Sequence, residues 1–209
     1  MADIAADSAP PRGEVAALVA IQSALGERPG AVAAARALSH FGEHSIGWLV
    51  VSAIGAILQP ARRRAWLVAG AGAFTAHATA VLIKRLVRRP RPHHPAVAVN
   101  VGTPSSLSFP SAHATSTTAA SILLARATGA PLPVMLVPPM ALSRVLLGVH
   151  YPSDVATGVV VGVVVAAIAA RIDGALRGDD AGRGAARGGG TSCLRGRAGP
   201  LARAGGAGE

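Results

Sequence analysis

The chain has 209 residues, 51% of them apolar and only 3% aromatic, and carries a formal net charge of +10. That length suits one domain with tails. The mean hydropathy of +0.44 and the long uncharged stretches exclude a soluble helical bundle, which would need polar faces. The basic excess lies in an Arg/Gly-rich C-terminal stretch and around a few motifs, without interleaved aromatics, so it argues against nucleic acid and for membrane lipid as a partner.

In chain order, residues 1–13 hold Asp3, Asp7 and two prolines and lack an apolar core. They read as a disordered N-terminus and not as a cleaved secretory signal. Glu14 to Leu25 and Ala31 to His40 read as short helices, the first amphipathic and placed at the membrane interface. Apolar blocks then run from Ser45 to Leu58, Ala65 to Ile83, Ser111 to Ala125, Ala130 to Leu142 and Val155 to Ala170. Several are shorter than the ~20 residues of a full span, so these helices extend through flanking residues or tilt little. The expectation is an all-α integral membrane bundle of about five transmembrane helices with N-terminal interfacial helices, filling residues 14–172. From Asp173 the chain is Gly, Ala and Arg without apolar periodicity, the composition of a disordered tail over 173–209. Cys193, the single cysteine, lies in that tail, so no intrachain disulfide forms. Nothing in the chain sets an oligomeric state.

Five consecutive spans would gather Arg62, Arg63, Arg64, Arg126 and the tail on one side of the membrane. The opposite side would hold Lys84 to Pro92, Ser111, His113, Ser143, Arg144, His150 and Asp154. Every residue with chemical character falls on that second face. The positive-inside rule places it outside the cytoplasm.

Between Glu43 and Asp173 the only acidic residue is Asp154, four positions after His150. A lone carboxylate in an apolar stretch is costly to bury unless something uses it, and His150 is the candidate. Three patterns then converge: Lys84 with Arg91-Pro92; Pro110-Ser111-Ala112-His113; and Ser143-Arg144 followed by His150 and Asp154. Phosphoryl transfer spreads negative charge over equatorial oxygens, and catalysis is mostly positioning and stabilisation of that charge. Lys84, Arg91 and Arg144 supply cations, and each arginine can grip two oxygens. Ser111 stands where an N-cap would open a helix, so its hydroxyl and the free N–H groups after it, including that of Ala112, can receive phosphate. His150 is the candidate nucleophile, its other ring nitrogen donating to Asp154. His113 is the candidate general acid that later activates water.

These three ordered motifs, spread over about residues 40–172, resemble the type 2 phosphatidic acid phosphatase superfamily. The resemblance implies the same assignments: catalysis by His150, His113 and Asp154 through a phosphohistidine, and phosphate binding by Lys84, Arg91, Ser111, Ala112 and Arg144. It departs from the family at one position, where Ala112 replaces the usual glycine. Alanine would resist a loop that needs positive φ. The stretch from Ser39 to Val50, SHFGEHSIGWLV, is similar to the actinobacterial branch acting on decaprenylphosphoryl-5-phosphoribose phosphate in cell-wall arabinan synthesis. Undecaprenyl diphosphate and phosphatidic acid are the alternative substrates.

Other readings are weaker. Two histidines and a carboxylate can ligate zinc, but two-metal phosphatases need several carboxylates and the surrounding cations would repel a metal, so no cofactor is expected. A vanadate haloperoxidase would be larger and soluble, and a non-catalytic scaffold would not keep the constellation. His77 reads as a satisfied interhelix hydrogen bond, His40 and His44 as interfacial, and His93 and His94 as loop residues near substrate. Arg85, Arg88 and Arg89 read as lipid headgroup or substrate contacts.

Overall fold

The computed structural model describes residues 10–188, with side chains described to residue 178. Helices α1 (Gly13–Leu25), α2 (Ala31–Gly42), α3 (Ile46–Leu58), α4 (Arg63–Val87), α5 (Ala112–Thr128), α6 (Leu132–Leu146) and α7 (Pro152–Gly188) follow in order, with tight turns at Glu43–Ser45 and Pro60–Arg62. Among the described residues the only strand-like pairing is an isolated bridge between Pro90 and Leu107. Residues 1–171 form one unit and residues 172–209 a second.

Among the described residues three stretches are long and apolar enough to cross a membrane: Ala31–Leu58, Pro60–Val87 and Pro152–Gly178. The first joins α2 to α3, so the short interfacial helix expected at Ala31 to His40 is instead the first part of a kinked candidate span. The kink lies at His44 and Ser45, both with positive φ (50° and 61°). The blocks expected as third and fourth spans form α5, with 17 residues, and α6, with 15. Large apolar side chains stand exposed along the long helices, among them Ile57 and Leu58 on α3, Leu86 on α4 and Val160 on α7. Such an exterior suits lipid rather than water.

Helix α5 occupies the middle of the bundle. Thr115, Ser116, Thr117, Thr118 and Ser121 are all buried, which is tolerable because most of their hydroxyls find local partners. Thr115 Oγ1 donates to the Ser111 carbonyl at 2.8 Å, Ser121 Oγ to the Thr118 carbonyl at 3.0 Å, and Thr117 Oγ1 accepts from Trp48 Nε1 at 3.2 Å. The rest of the core is built from small residues, with Ala69, Ala73, Ala76, Ala119, Ala120 and Ala166 around Trp48, Trp66 and Leu123. Small side chains let helix backbones approach closely. The sequence G-V-V-V-G from Gly158 to Gly162 shows this best: a Cβ on Gly158 would lie 2.7 Å from the Ser111 carbonyl oxygen, and one on Gly162 would lie 2.5 Å from that of Thr115. Helix α7 therefore rests its backbone directly on α5.

Helix α1, expected at the membrane interface, packs closely against the rest of the protein. Leu18 is fully buried with Val97, Ala114, Val145 and Val155. One turn on, Gln22 Nε2 donates to the carbonyls of Ala98 (2.6 Å) and Leu146 (3.0 Å) while Oε1 accepts from Ala98 N (3.1 Å). The helix is a strap over the loop that joins α4 to α5. Within residues 172–209 the helix continues to Gly188, beyond Asp173 where a disordered tail was expected to begin. An i,i+4 contact between Arg177 Nε and Asp173 Oδ2 at 3.0 Å supports that turn. The remaining part of the expected tail, with Cys193, and residues 1–9 lie outside the described residues.

Candidate active site

The end of α4, the start of α5, the end of α6 and the start of α7 meet at one end of the bundle, as the motif order implied. Lys84 sits in the last turn of α4, buried. Its Nζ donates to the carbonyls of Leu107 (3.2 Å) and Ser108 (2.8 Å), fastening the α4–α5 loop to the helix. Arg91 lies in that loop, where Nε donates to the Ser105 carbonyl (2.8 Å) and Nη1 to the Val149 carbonyl (2.7 Å). Nη1 also stands 3.4 Å from His150 Nε2. An arginine can only donate, so that contact fits a His150 tautomer whose Nε2 carries a lone pair and whose proton is on Nδ1. Burial pushes the Arg91 guanidinium down to about 10, with Asp154 opposing, so it is a full cation at neutral pH.

Lys84, Arg91, Arg144, Ala112, His113 and His150 line one cavity of about 560 Å³, within the ~300–1,000 Å³ range of small-molecule sites. Ser111 does not line it. The N-cap expectation for Ser111 holds, since its hydroxyl accepts from Ala114 N at 3.4 Å, but that cap and full burial turn the side chain away from the cavity. Ala112 has no positive φ, so alanine in place of the family glycine carries no backbone strain.

His150 is buried between α6 and α7. Burial comes first, and Arg144, Arg91 and Lys84 add to it, in pushing its pKa well below 6.5. The expected hydrogen bond to Asp154 is not made: Nδ1 stands 3.6 Å from Oδ2 and has no other partner. The carboxylate is engaged elsewhere, because Oδ2 accepts from Tyr151 N at 2.8 Å and Oδ1 from Arg89 Nη1 at 2.9 Å. Histidine-to-carboxylate bonds are often long in the absence of ligand and close when it binds.

Arg89 therefore joins the site through Asp154. It donates to Ser153 Oγ at 2.7 Å, stacks 4.0 Å over the Tyr151 ring, and meets Glu14 Oε2 at 2.7 Å. The second oxygen of Glu14 accepts from Ser153 N at 2.8 Å, across 139 residues of sequence. Burial alone would raise the Glu14 pKa, but the bonds from Ser153 and Arg89 hold it below 4.5.

Ser39 is a second residue that sequence reasoning missed. Its carbonyl accepts from His113 Nε2 at 2.9 Å, and its hydroxyl accepts from Arg144 Nη1 at 2.6 Å. Because a carbonyl only accepts, Nε2 of His113 carries the proton and Nδ1 remains for exchange. A small polar residue in an apolar helix, within a stretch already singled out, was the available signal for Ser39. For Glu14 the signal was its place at i, with Leu18 and Gln22 at i+4 and i+8 on one helix face.

An all-helical bundle with an apolar exterior defines a membrane protein, and its cavity sets three cationic side chains beside two histidines. The chain belongs to the PAP2 superfamily, whose family model matches residues 64–177. It is 77% identical over 149 residues to the decaprenylphosphoryl-5-phosphoribose phosphatase of Mycobacterium tuberculosis, covering 71% of this chain and 84% of the relative. It is 71% identical over 148 residues to the enzyme of that name from Mycolicibacterium smegmatis, covering 71% and 82%. In fold it is similar to the transmembrane PAP2 type phosphatidylglycerolphosphate phosphatase of Bacillus subtilis, with a TM-score of 0.61 at 22% identity over 76% of this chain and 85% of that one.

Proposed function

We propose that this chain is a membrane phosphatase that removes the terminal phosphate of decaprenylphosphoryl-5-phosphoribose phosphate, a step of cell-wall arabinan synthesis. The observation that carries the reading is the meeting of Lys84, Arg91, Arg144, His113 and His150 in one cavity, in a chain 77% identical to a phosphatase of that name.

The phosphate monoester enters among Lys84, Arg91 and Arg144, where the cations stabilise the charge that spreads over its equatorial oxygens. His150 Nε2 attacks phosphorus while Asp154 closes on Nδ1–H and stabilises the charged ring. The bond from phosphorus to the sugar C5 oxygen breaks, and that alkoxide takes the proton that protonated His113 carries on Nδ1. Neutral His113 then removes a proton from water, whose oxygen attacks the phosphohistidine, releasing inorganic phosphate and restoring His150. The charge on the phosphate is met by side-chain cations, so hydrolysis proceeds without a metal ion. Ala112 and Ser111 bring the α5 N-terminus toward the phosphate, Ala112 at the cavity wall and Ser111 as the cap behind it.

We read α5 and α6 as crossing the bilayer inside the bundle, beside α2–α3, α4 and α7, which makes five spans. Arg62 donates to the Ala127 carbonyl at 2.9 Å, which supports Arg62 and Arg126 sharing the end opposite the cavity. By the positive-inside rule the cavity then faces outward. The test is phosphate release by the purified chain in detergent with EDTA, offered decaprenylphosphoryl-5-phosphoribose phosphate, undecaprenyl diphosphate and phosphatidic acid. The first should be preferred and His150→Ala should abolish turnover. Turnover by His150→Ala at the parental rate would refute the mechanism, and preference for another lipid would refute the substrate.

A further inference from the structure

The cavity extends well beyond its cationic end. From Lys84 its wall runs back along α4 through Val81 to His77, and across to Glu43 and His44 at the α2–α3 kink. Residues 77, 81 and 84 share one helix face, and a rise of ~1.5 Å per residue places His77 about 10 Å from Lys84 along the axis. That is farther than a phosphate reaches.

The proposed hydrolysis uses none of these distant residues, yet their conformations are unusual. His77 Nδ1 is buried with no hydrogen-bond partner, which overturns the expectation of a satisfied interhelix bond. Its ring lies 5.8 Å from that of His44. His44 and the residue after it both adopt positive φ, a region that non-glycine residues occupy mainly where the surroundings demand it. The chemistry of this wall also differs from that of the cationic end. Glu43 brings a carboxylate, 3.8 Å from His40 Nδ1, and His44 and His77 bring imidazoles. A carboxylate repels a second phosphate but accepts hydroxyl protons, and a neutral imidazole offers one donor and one acceptor. Adjacent hydroxyls on a sugar ring present the matching groups.

We propose that Glu43, His44 and His77 form a sugar subsite that holds the pentose hydroxyls of a lipid-linked sugar phosphate while its terminal phosphate lies among Lys84, Arg91 and Arg144. This rests on the phosphatase reading above and adds to it the residues that recognise the sugar. A lipid phosphate without hydroxyls would leave His77 Nδ1 unsatisfied, and buried polar groups without partners discriminate strongly against such analogues.

The experiment uses the full chain in detergent, in the His150→Ala background so that nothing turns over, and measures calorimetric binding of ribose 5-phosphate and inorganic phosphate. Ribose 5-phosphate should bind at least about tenfold tighter than inorganic phosphate. Adding Glu43→Gln or His77→Ala should remove most of that surplus and leave inorganic phosphate binding within about twofold, which also shows that the variants fold. Equal affinity for the two ligands would overturn the subsite, as would a surplus that survives both substitutions. A substitution that weakens both ligands alike would make the wall structural and overturn it too. Lipid turnover by the parental chain tests the phosphatase reading separately, so the two can fail independently.

Discussion

Arg89 Nη1 holds Asp154 Oδ1 at 2.9 Å, and the same guanidinium holds Glu14 Oε2 at 2.7 Å. The carboxylate nearest His150 is thereby tied to a helix from the start of the chain, outside residues 64–177 that match the family model. Asp154 is fully buried, so Arg89, with the bond from Tyr151 N, makes its charge tolerable.

Arg89→Lys keeps a charge but loses the planar fork that reaches Ser153, Asp154 and Glu14 together. The expected result is a kcat lower by about ten- to a hundredfold with KM within about twofold, because in the proposed mechanism Asp154 acts through His150 and not on the substrate. Arg89→Met should destabilise by roughly 3–5 kcal/mol, the range for orphaning a buried ion-pair partner. Thermal unfolding in detergent and steady-state kinetics separate the two effects.

Glu14→Gln tests the strap by pH. The Glu14 pKa is lowered in the folded chain, so its contribution is present above the ordinary value of 4.5 and is lost as pH falls through the lowered folded value. Parental and Glu14→Gln melting temperatures should differ at pH 7 and converge in acid. A constant difference down to pH 3 would mean that the carboxylate charge contributes nothing.

His150 carries the opposite kind of group and the same sign. Its pKa is pushed well below 6.5 by burial, Arg144, Arg91 and Lys84, so the folded chain keeps the ring neutral where an unfolded chain would protonate it. Stability contributed this way is present above about pH 6.5 and falls as pH drops below it. The ring is therefore neutral throughout the neutral range. In histidine-labelled protein, the ring resonance that is lost in His150→Gln should be one that stays unprotonated at pH 6 in the parent.

Ser39→Ala removes the hydroxyl that Arg144 Nη1 donates to at 2.6 Å. Arg144 is buried and its Nε already lacks a partner, so a second unsatisfied nitrogen should cost about 1–3 kcal/mol. Part of that should appear as a roughly tenfold loss of kcat/KM through a less rigid Arg144. Unchanged kinetics with lowered stability would limit Ser39 to a packing role.

The parts of the site carried by local motifs were legible in the sequence, and the parts made by distant pairing were not. Lys84, Arg91, His113, Arg144 and His150 meet as their spacing implied, because consecutive helices must alternate direction and return to the same end. Ser111 was placed correctly as a cap, yet pattern alone cannot tell that a capped hydroxyl at full burial faces away from the cavity. Glu14 and Ser39 act through contacts spanning 75 and 105 residues, and no local period encodes those. The helix α5 was readable as apolar but not as the centre of the bundle, since most of its threonines and serines hide their polarity in bonds to its own carbonyls and to Trp48.

Ala112→Gly restores the residue usual in the family and should change little. Ala112 has no positive φ and its backbone N–H remains, so glycine relieves no strain and adds only freedom to the first turn of α5. Activity within about twofold of the parent is expected. A large gain would mean that the loop adopts a left-handed conformation during turnover.

Gly42→Ala probes His113 from its other side. A Cβ at residue 42 would lie 2.8 Å from His113 Cδ2 and 3.2 Å from Met140 Cε. The Met140 methyl can swing aside, but the His113 ring is fixed by its 2.9 Å bond to the Ser39 carbonyl. The ring must tilt, and displacements near 1 Å at a proton-transfer residue cost about a hundredfold. We expect kcat to fall by roughly ten- to a hundredfold with phosphate affinity preserved, since the atoms nearest the added Cβ belong to His113 and Met140 and not to Lys84, Arg91 or Arg144. In kcat/KM, which reports formation of the phosphohistidine and not its hydrolysis by water, a substrate with a good leaving group needs no proton from His113 and should recover most of the loss in Gly42→Ala. If the loss is the same for good and poor leaving groups, His113 is not the proton donor.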